Sequence, residues 1–76
     1  MKKKDQEILK KFGLQLQRLR KEKNISQREL SYLSGIDHGK ISRLENGKAN
    51  LAVTTLMELA EALEIRPGKL LDFVQN

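Results

Sequence analysis

The sequence predicts an all-α protein: five short helices folded as one domain over residues 1–76. Three observations carry this. Apolar residues recur at helical spacing along the chain, and no segment has the alternation of a strand. Capping and turn residues (Ser26, Gly35, Asp37, Asn46-Gly47, Pro67) fall where helices would start and stop. The chain has no cysteine and one histidine, so neither disulfides nor a Cys or His metal cluster can brace a domain this small. A packed helical core has to do so.

The first helix is expected over about Asp5 to Lys23, with Ile8, Phe12, Leu16 and Leu19 on one face and residues 1–4 a disordered basic tail. Gly13 costs about 1 kcal/mol relative to Ala inside a helix, a sign that a neighbouring segment packs closely there. Asn24-Ile25-Ser26 breaks the pattern. Ser26 and Glu29 form a capping box for a second helix, about Gln27 to Ser34, anchored by Leu30 and Leu33. Gly35 suits a left-handed helix end, Ile36 should plug the core from the turn, and Asp37 can cap a third helix over His38 to Glu45. Ile41 and Leu44 are its large apolar residues, so His38, Lys40, Ser42 and Arg43 largely face elsewhere. A fourth helix spans about Ala52 to Leu63, with Val53, Leu56, Leu59, Ala60 and Leu63 as its stripe. Pro67 opens a fifth, to about Val74.

Net charge is +5 but unevenly spread: +6 over residues 1–23, +1 over 24–50 and −2 over 51–76. A polyanion would approach the first two thirds, leaving the last third for protein contacts. No apolar run approaches the ~18–20 residues that cross a bilayer, and the basic N-terminus is not followed by a signal-type apolar stretch. No membrane association and a reducing, cytoplasmic setting are expected. No nucleophile–base pair, apolar-set carboxylate pair or Gly-rich phosphate loop occurs, so no enzyme, cofactor or metal is expected.

Five groups of residues together carry a resemblance. They are Phe12-Gly13-x-x-Leu16-x-x-Leu19-Arg20, Ile25-Ser26-Gln27-x-x-Leu30, Ser34-Gly35-Ile36, Ile41-Ser42-x-Leu44-Glu45-Asn46-Gly47 and Leu56-x-x-Leu59-Ala60-x-x-Leu63. The chain resembles the phage repressor/Cro-type helix-turn-helix (XRE) family of transcription regulators, from Phe12 to about Leu71. The resemblance implies a compact, five-helix, lambda-repressor-like domain that binds double-stranded DNA, with the third helix as reader. By that likeness His38, Lys40, Ser42 and Arg43 approach base edges, and Gln27, Asn46 and Lys48 contact the DNA backbone. Chemistry agrees: Gln27 begins a helix, Lys48 carries a full charge, and the Arg43 fork can pair with guanine. The likeness also pairs Arg20 with Glu45 as a scaffold ion pair.

Four residues depart from the family pattern. Ser31 stands where alanine is usual, and its hydroxyl needs a partner such as a carbonyl one turn back. Gly39 stands where relatives often place a reading side chain. Leu51 replaces a common proline, and Glu64 a common glycine where φ > 0 must be avoided or tolerated. The Lys2-Lys3-Lys4 run is a solvated tail or, alternatively, a DNA-contacting arm. Lys10, Lys11, Lys21 and Lys23 fit a solvent face with long-range attraction better than specific contacts.

One reading helix spans few base pairs, so a homodimer on a palindromic operator is expected. Leu70, Leu71, Phe73 and Val74 are more apolar residues than a short terminal helix can bury, which suggests Leu71, Phe73 and Val74 as the dimer interface. The alternative is that Phe73 and Val74 fold back onto helix one. A different class of function, an antitoxin or co-regulator adaptor working through protein contacts of the C-terminal third, uses the same fold.

Overall fold

The first helix, α1, runs Lys3–Glu22 in the computed structural model, which describes residues 2–73. It begins before the expected Asp5. Gln6 N–H donates to the Lys2 carbonyl at 3.1 Å and Asp5 supplies a negative charge to the first turn. Lys3 and Lys4, expected in the tail, are therefore helical, and Met1 lies outside the described residues. Phe12, Leu16 and Leu19 are buried, but Ile8 is 46% exposed because the core ends one turn above it.

Four more helices follow: α2 (Gln27–Ser34), α3 (His38–Glu45), α4 (Val53–Leu63) and α5 (Pro67–Leu70). No strand occurs among the described residues. Leu30, Ile36, Ile41, Leu44, Leu56, Leu59, Leu63 and Leu70 complete the core around which the five helices pack.

The ends of α2 follow local rules. Ser26 Oγ accepts from the Glu29 N–H at 3.0 Å, and the Glu29 carboxylate accepts from the Ser26 N–H at 2.8 Å. Gly35 ends the helix at φ +75°. The turn is then pinned by two serines of α2 acting on one residue. Ser34 Oγ accepts from the Ile36 N–H at 3.1 Å, and Ser31 Oγ donates to the Ile36 carbonyl at 2.6 Å. The Ser31 partner thus lies ahead in the chain rather than one turn back, because the backbone doubles over Gly35. The turn carries Ile36 inward, and Leu33, expected as a second anchor, is left 56% exposed.

Helix α4 buries Leu56, Leu59, Ala60 and Leu63, with Thr55, while Val53 in its first turn is 74% exposed, outside the expected stripe. Its end has the hydrogen bonding of a glycine-terminated helix without the glycine. Glu64 adopts φ +56° and the Ile65 N–H reaches back to the Ala60 carbonyl at 3.0 Å.

The last helix is shorter than the expected Pro67–Val74. It ends at Leu70, and a turn follows over Leu71–Phe73. That turn folds Phe73 back onto helix one, its ring centroid 6.3 Å from that of Phe12 and nearly edge-on. Gln15 Nε2 donates to the Lys69 carbonyl at 2.8 Å and fixes α5 to α1. Phe73 is thereby packed against the core and partly buried, as in the alternative of folding back onto helix one, and Leu71 remains exposed. Val74, the third expected interface residue, lies outside the described residues. No helix among them is long and apolar enough to cross a membrane.

Candidate nucleic-acid interface

Helix α3 is seated on the core by Ile41 and Leu44, both buried. Asp37 caps it, its carboxylate accepting from the Lys40 N–H at 3.3 Å. At about 100° per residue, the side opposite Ile41 and Leu44 is centred on Gly39, with Ser42 and Arg43 to either side of it and His38 and Lys40 at the two edges. His38 and Arg43 are exposed and Ser42 is half-buried. Lys40 turns sideways: its ammonium lies 3.5 Å from Thr55 Oγ1 of α4. The four expected base-reading residues thus divide into an outward group and one residue, Lys40, at the α3–α4 edge.

The space beside Gly39, where relatives often place a reading side chain, is occupied by its neighbours. A Cβ placed there would lie 3.0 Å from Asp37 Oδ2 and 3.3 Å from Arg43 Nη1. The guanidinium of Arg43 folds back over the glycine, and the missing side chain is what gives it room.

Of the expected backbone-contacting residues, Gln27 and Asn46 are held within the protein. Gln27 Nε2 donates to Glu45 Oε1 at 2.9 Å, joining the first residue of α2 to the last of α3. Asn46 Nδ2 donates to the Ser42 carbonyl at 2.9 Å. Each amide keeps a second N–H. Lys48 is exposed, and its own N–H closes the α3 terminus on the Arg43 carbonyl at 2.8 Å.

Arg20 and Glu45 lie beneath this surface and pair as expected. Arg20 Nε and Nη2 reach the Glu45 oxygens at 2.7 and 3.1 Å, and Nη1 donates to the Ile25 carbonyl at 2.8 Å. The pair is almost fully buried, and no buried side-chain polar atom among the described residues lacks a partner. Gly13 seats α1 directly on α3: a Cβ there would come within 2.6 Å of the Leu44 carbonyl oxygen and closer still to that of Glu45.

The sequence placed Asn46 and Lys48 at this surface but not Gln6 or Lys10, which the structure brings beside them. Gln6, Lys10, Asn46, Gly47 and Lys48 line a cleft of about 340 Å³ between α1 and the loop after α3. Its sequence signals are the four-residue spacing of Gln6 and Lys10 and the glycine at 47, which is too general to single out alone. Among the described residues no group of three or more His, Cys, Asp or Glu side chains is placed to hold a metal ion.

Comparison with known proteins gives consistent matches. The family model for the Cro/C1-type helix-turn-helix DNA-binding domain matches residues 15–76. The chain is similar to an uncharacterized HTH-type transcriptional regulator, y4dJ, of Sinorhizobium fredii, 41% identical over 59 residues, which are 78% of this chain and 77% of that protein. It is also 41% identical over 58 residues to the HTH-type transcriptional repressor RghR of Bacillus subtilis, covering 75% of this chain but 43% of RghR. Among solved structures, the restriction-modification controller protein C.AhdI of Aeromonas hydrophila superposes with a TM-score of 0.80 at 40% identity, covering 82% of this chain and 94% of that one.

Proposed function

The chain belongs to the Cro/C1-type helix-turn-helix family of DNA-binding domains, and on that premise we propose that it is a transcription regulator reading double-stranded DNA sequence-specifically as a homodimer. The observation that carries this reading is the outer side of α3. It presents His38, Ser42 and Arg43 around Gly39 while Ile41 and Leu44 hold the helix to the core. A helix so mounted can enter the major groove with its polar side toward base edges. Arg43 is assigned to guanine and His38 and Ser42 to neighbouring edges. Lys40 contributes from the flank. Lys48 and the spare N–H groups of Gln27 and Asn46 take backbone phosphates.

Exposed apolar residues and the charge asymmetry support the homodimer. Two copies related by a two-fold axis would place their α3 helices one DNA turn apart, roughly 34–36 Å, so the operator is palindromic. Exposed Leu71 and Met57 in the acidic C-terminal third are assigned to the second copy. No catalytic step, cofactor or metal enters this reading, and its setting is the cytoplasm, alongside the DNA.

In vitro selection from a random duplex pool tests it. Enrichment of a two-fold symmetric site with half-sites one turn apart is expected. Enrichment of nothing, together with a stoichiometric protein partner in a pull-down, would favour the antitoxin or adaptor role instead.

A further inference from the structure

The first turns of α1 lie outside the stretch that the family model matches, which begins at residue 15, yet they are helical from Lys3 and packed on the loop after α3. The packing is intimate. A Cβ placed at Gly47 would lie 2.9 Å from Lys10 Cα and 3.0 Å from Lys10 N, so only a glycine lets the loop rest on this helix. Lys3, Gln6 and Lys10, at i, i+3 and i+7, share one face of α1 with Gly13. Gly13 is seated on the last carbonyls of α3, so this face looks toward the end of that helix.

The cleft beside that contact is lined by Gln6, Lys10, Asn46, Gly47 and Lys48: two ammonium groups, two primary amides and no carboxylate. The nearby carboxylate of Glu45 is buried, with both oxygens occupied by Arg20 and one also by Gln27. Two cations flanking one open cleft repel each other, and an anion between them reverses the sign of that interaction. Four potential donors and no fixed acceptor charge suit an oxyanion with several free oxygens. Packing of Lys10 on Gly47 also restrains the lysine stem before any ligand arrives, which lowers the ordering cost of a contact.

We infer that this cleft grips a phosphate of the DNA backbone between Lys10 and Lys48, with the Gln6 and Asn46 amides as further donors. The N-terminal turns of α1 thus form a second backbone-holding element beside α3. The inference rests on the DNA-binding reading above and deepens it. It also separates Lys10 from the other lysines of α1, which act through long-range attraction alone.

The test measures binding to the selected duplex and to a random-sequence duplex across a salt series. It compares the unaltered protein with Lys10→Gln, Lys10→Ala and Lys11→Ala. Lys11 has the same charge one residue on, but about 100° around the helix. Both Lys10 variants should weaken binding to the two duplexes alike, roughly tenfold near physiological salt. Their log–log salt slope should fall in magnitude by about 0.9, as for one lost phosphate contact, while Lys11→Ala leaves the slope unchanged. Equal effects of Lys10→Ala and Lys11→Ala would overturn the cleft and leave only a diffuse basic surface. Lys10→Gln keeps part of the stem against Gly47, so if Lys10→Ala unfolds, the glutamine variant decides. Absence of salt-sensitive duplex binding by the unaltered protein would defeat the DNA reading itself, an outcome distinct from loss of the cleft alone.

Discussion

Arg20 meets Glu45 side-on, with two of its nitrogens on the two carboxylate oxygens at 2.7 and 3.1 Å. The contact joins the end of α1 to the end of α3, and Gln27 of α2 donates to the same carboxylate. One anion thereby organises three helices. Removing either charge leaves the other buried with a partly empty shell. Glu45→Ala or Arg20→Ala is expected to cost about 3–5 kcal/mol, most of the stability of a domain this size. Urea unfolding of each single variant measures it. A loss below about 1 kcal/mol would mean that the pair behaves as an exposed one.

Gly13→Ala sets local propensity against packing. Alanine favours the helix by about 1 kcal/mol. Its methyl group, however, would meet the carbonyl oxygens of Leu44 and Glu45, which are backbone and cannot rotate away. Overpacking should win by about 1–3 kcal/mol net, read as a lower melting temperature. A rise in melting temperature would show that α1 and α3 can separate freely.

Gly39→Ala should do the opposite for stability and disturb function. The atoms its Cβ would meet belong to the movable side chains of Asp37 and Arg43. The fold should gain up to about 1 kcal/mol. The Arg43 guanidinium must move, so the ranking of operator sequences should shift while binding to random duplex stays nearly constant. Arg43→Ala should lose about 1–3 kcal/mol of discrimination at one base pair, whereas Lys48→Ala weakens all duplexes alike. Equal losses from those two variants would contradict the division of roles proposed for them.

Glu64 holds φ +56° without being glycine. Glu64→Gly removes the steric cost of a side chain in the left-handed region, against some loss from a freer unfolded chain. A net gain of about 0.5–1 kcal/mol is expected, or several degrees in thermal melting for a domain of this length. An unchanged or lower melting temperature would show that the Glu64 side chain contributes more than its conformation costs.

Leu71 and Phe73 are neighbours with different expected roles. Leu71→Asp should leave the melting temperature of the monomer nearly unchanged and abolish the dimer in sedimentation at micromolar concentration. Phe73→Ala should lower stability by about 1–3 kcal/mol through loss of the Phe12 contact. A still-dimeric Leu71→Asp would move the interface elsewhere on the molecule.

Much of this was legible in the chain. The extents of α2 and α3, the Ser26–Glu29 box, the Asp37 cap and the left-handed Gly35 depend on residues a few positions apart, and such rules act before any tertiary contact forms. The reason for Gly13 was legible too, since a glycine inside an apolar-periodic helix has few other uses. Tertiary structure decided which of several equivalent residues met a partner. Periodicity offers Leu33 and Val53 to a core as readily as Leu30 and Leu56, but the volume beneath α2 and α4 admits only the latter pair. Apolar composition at the C-terminus is equally consistent with a dimer face and with folding back, and the turn after Leu70 sends Phe73 to Phe12 while leaving Leu71 outside. Lys10 and Lys11 are the same residue type one position apart, and the rotation of α1 on the Gly13 and Gly47 contacts alone puts Lys10 in the cleft. Arg43 over Gly39 belongs to the same class, because an absent side chain acquires meaning only from what occupies its space.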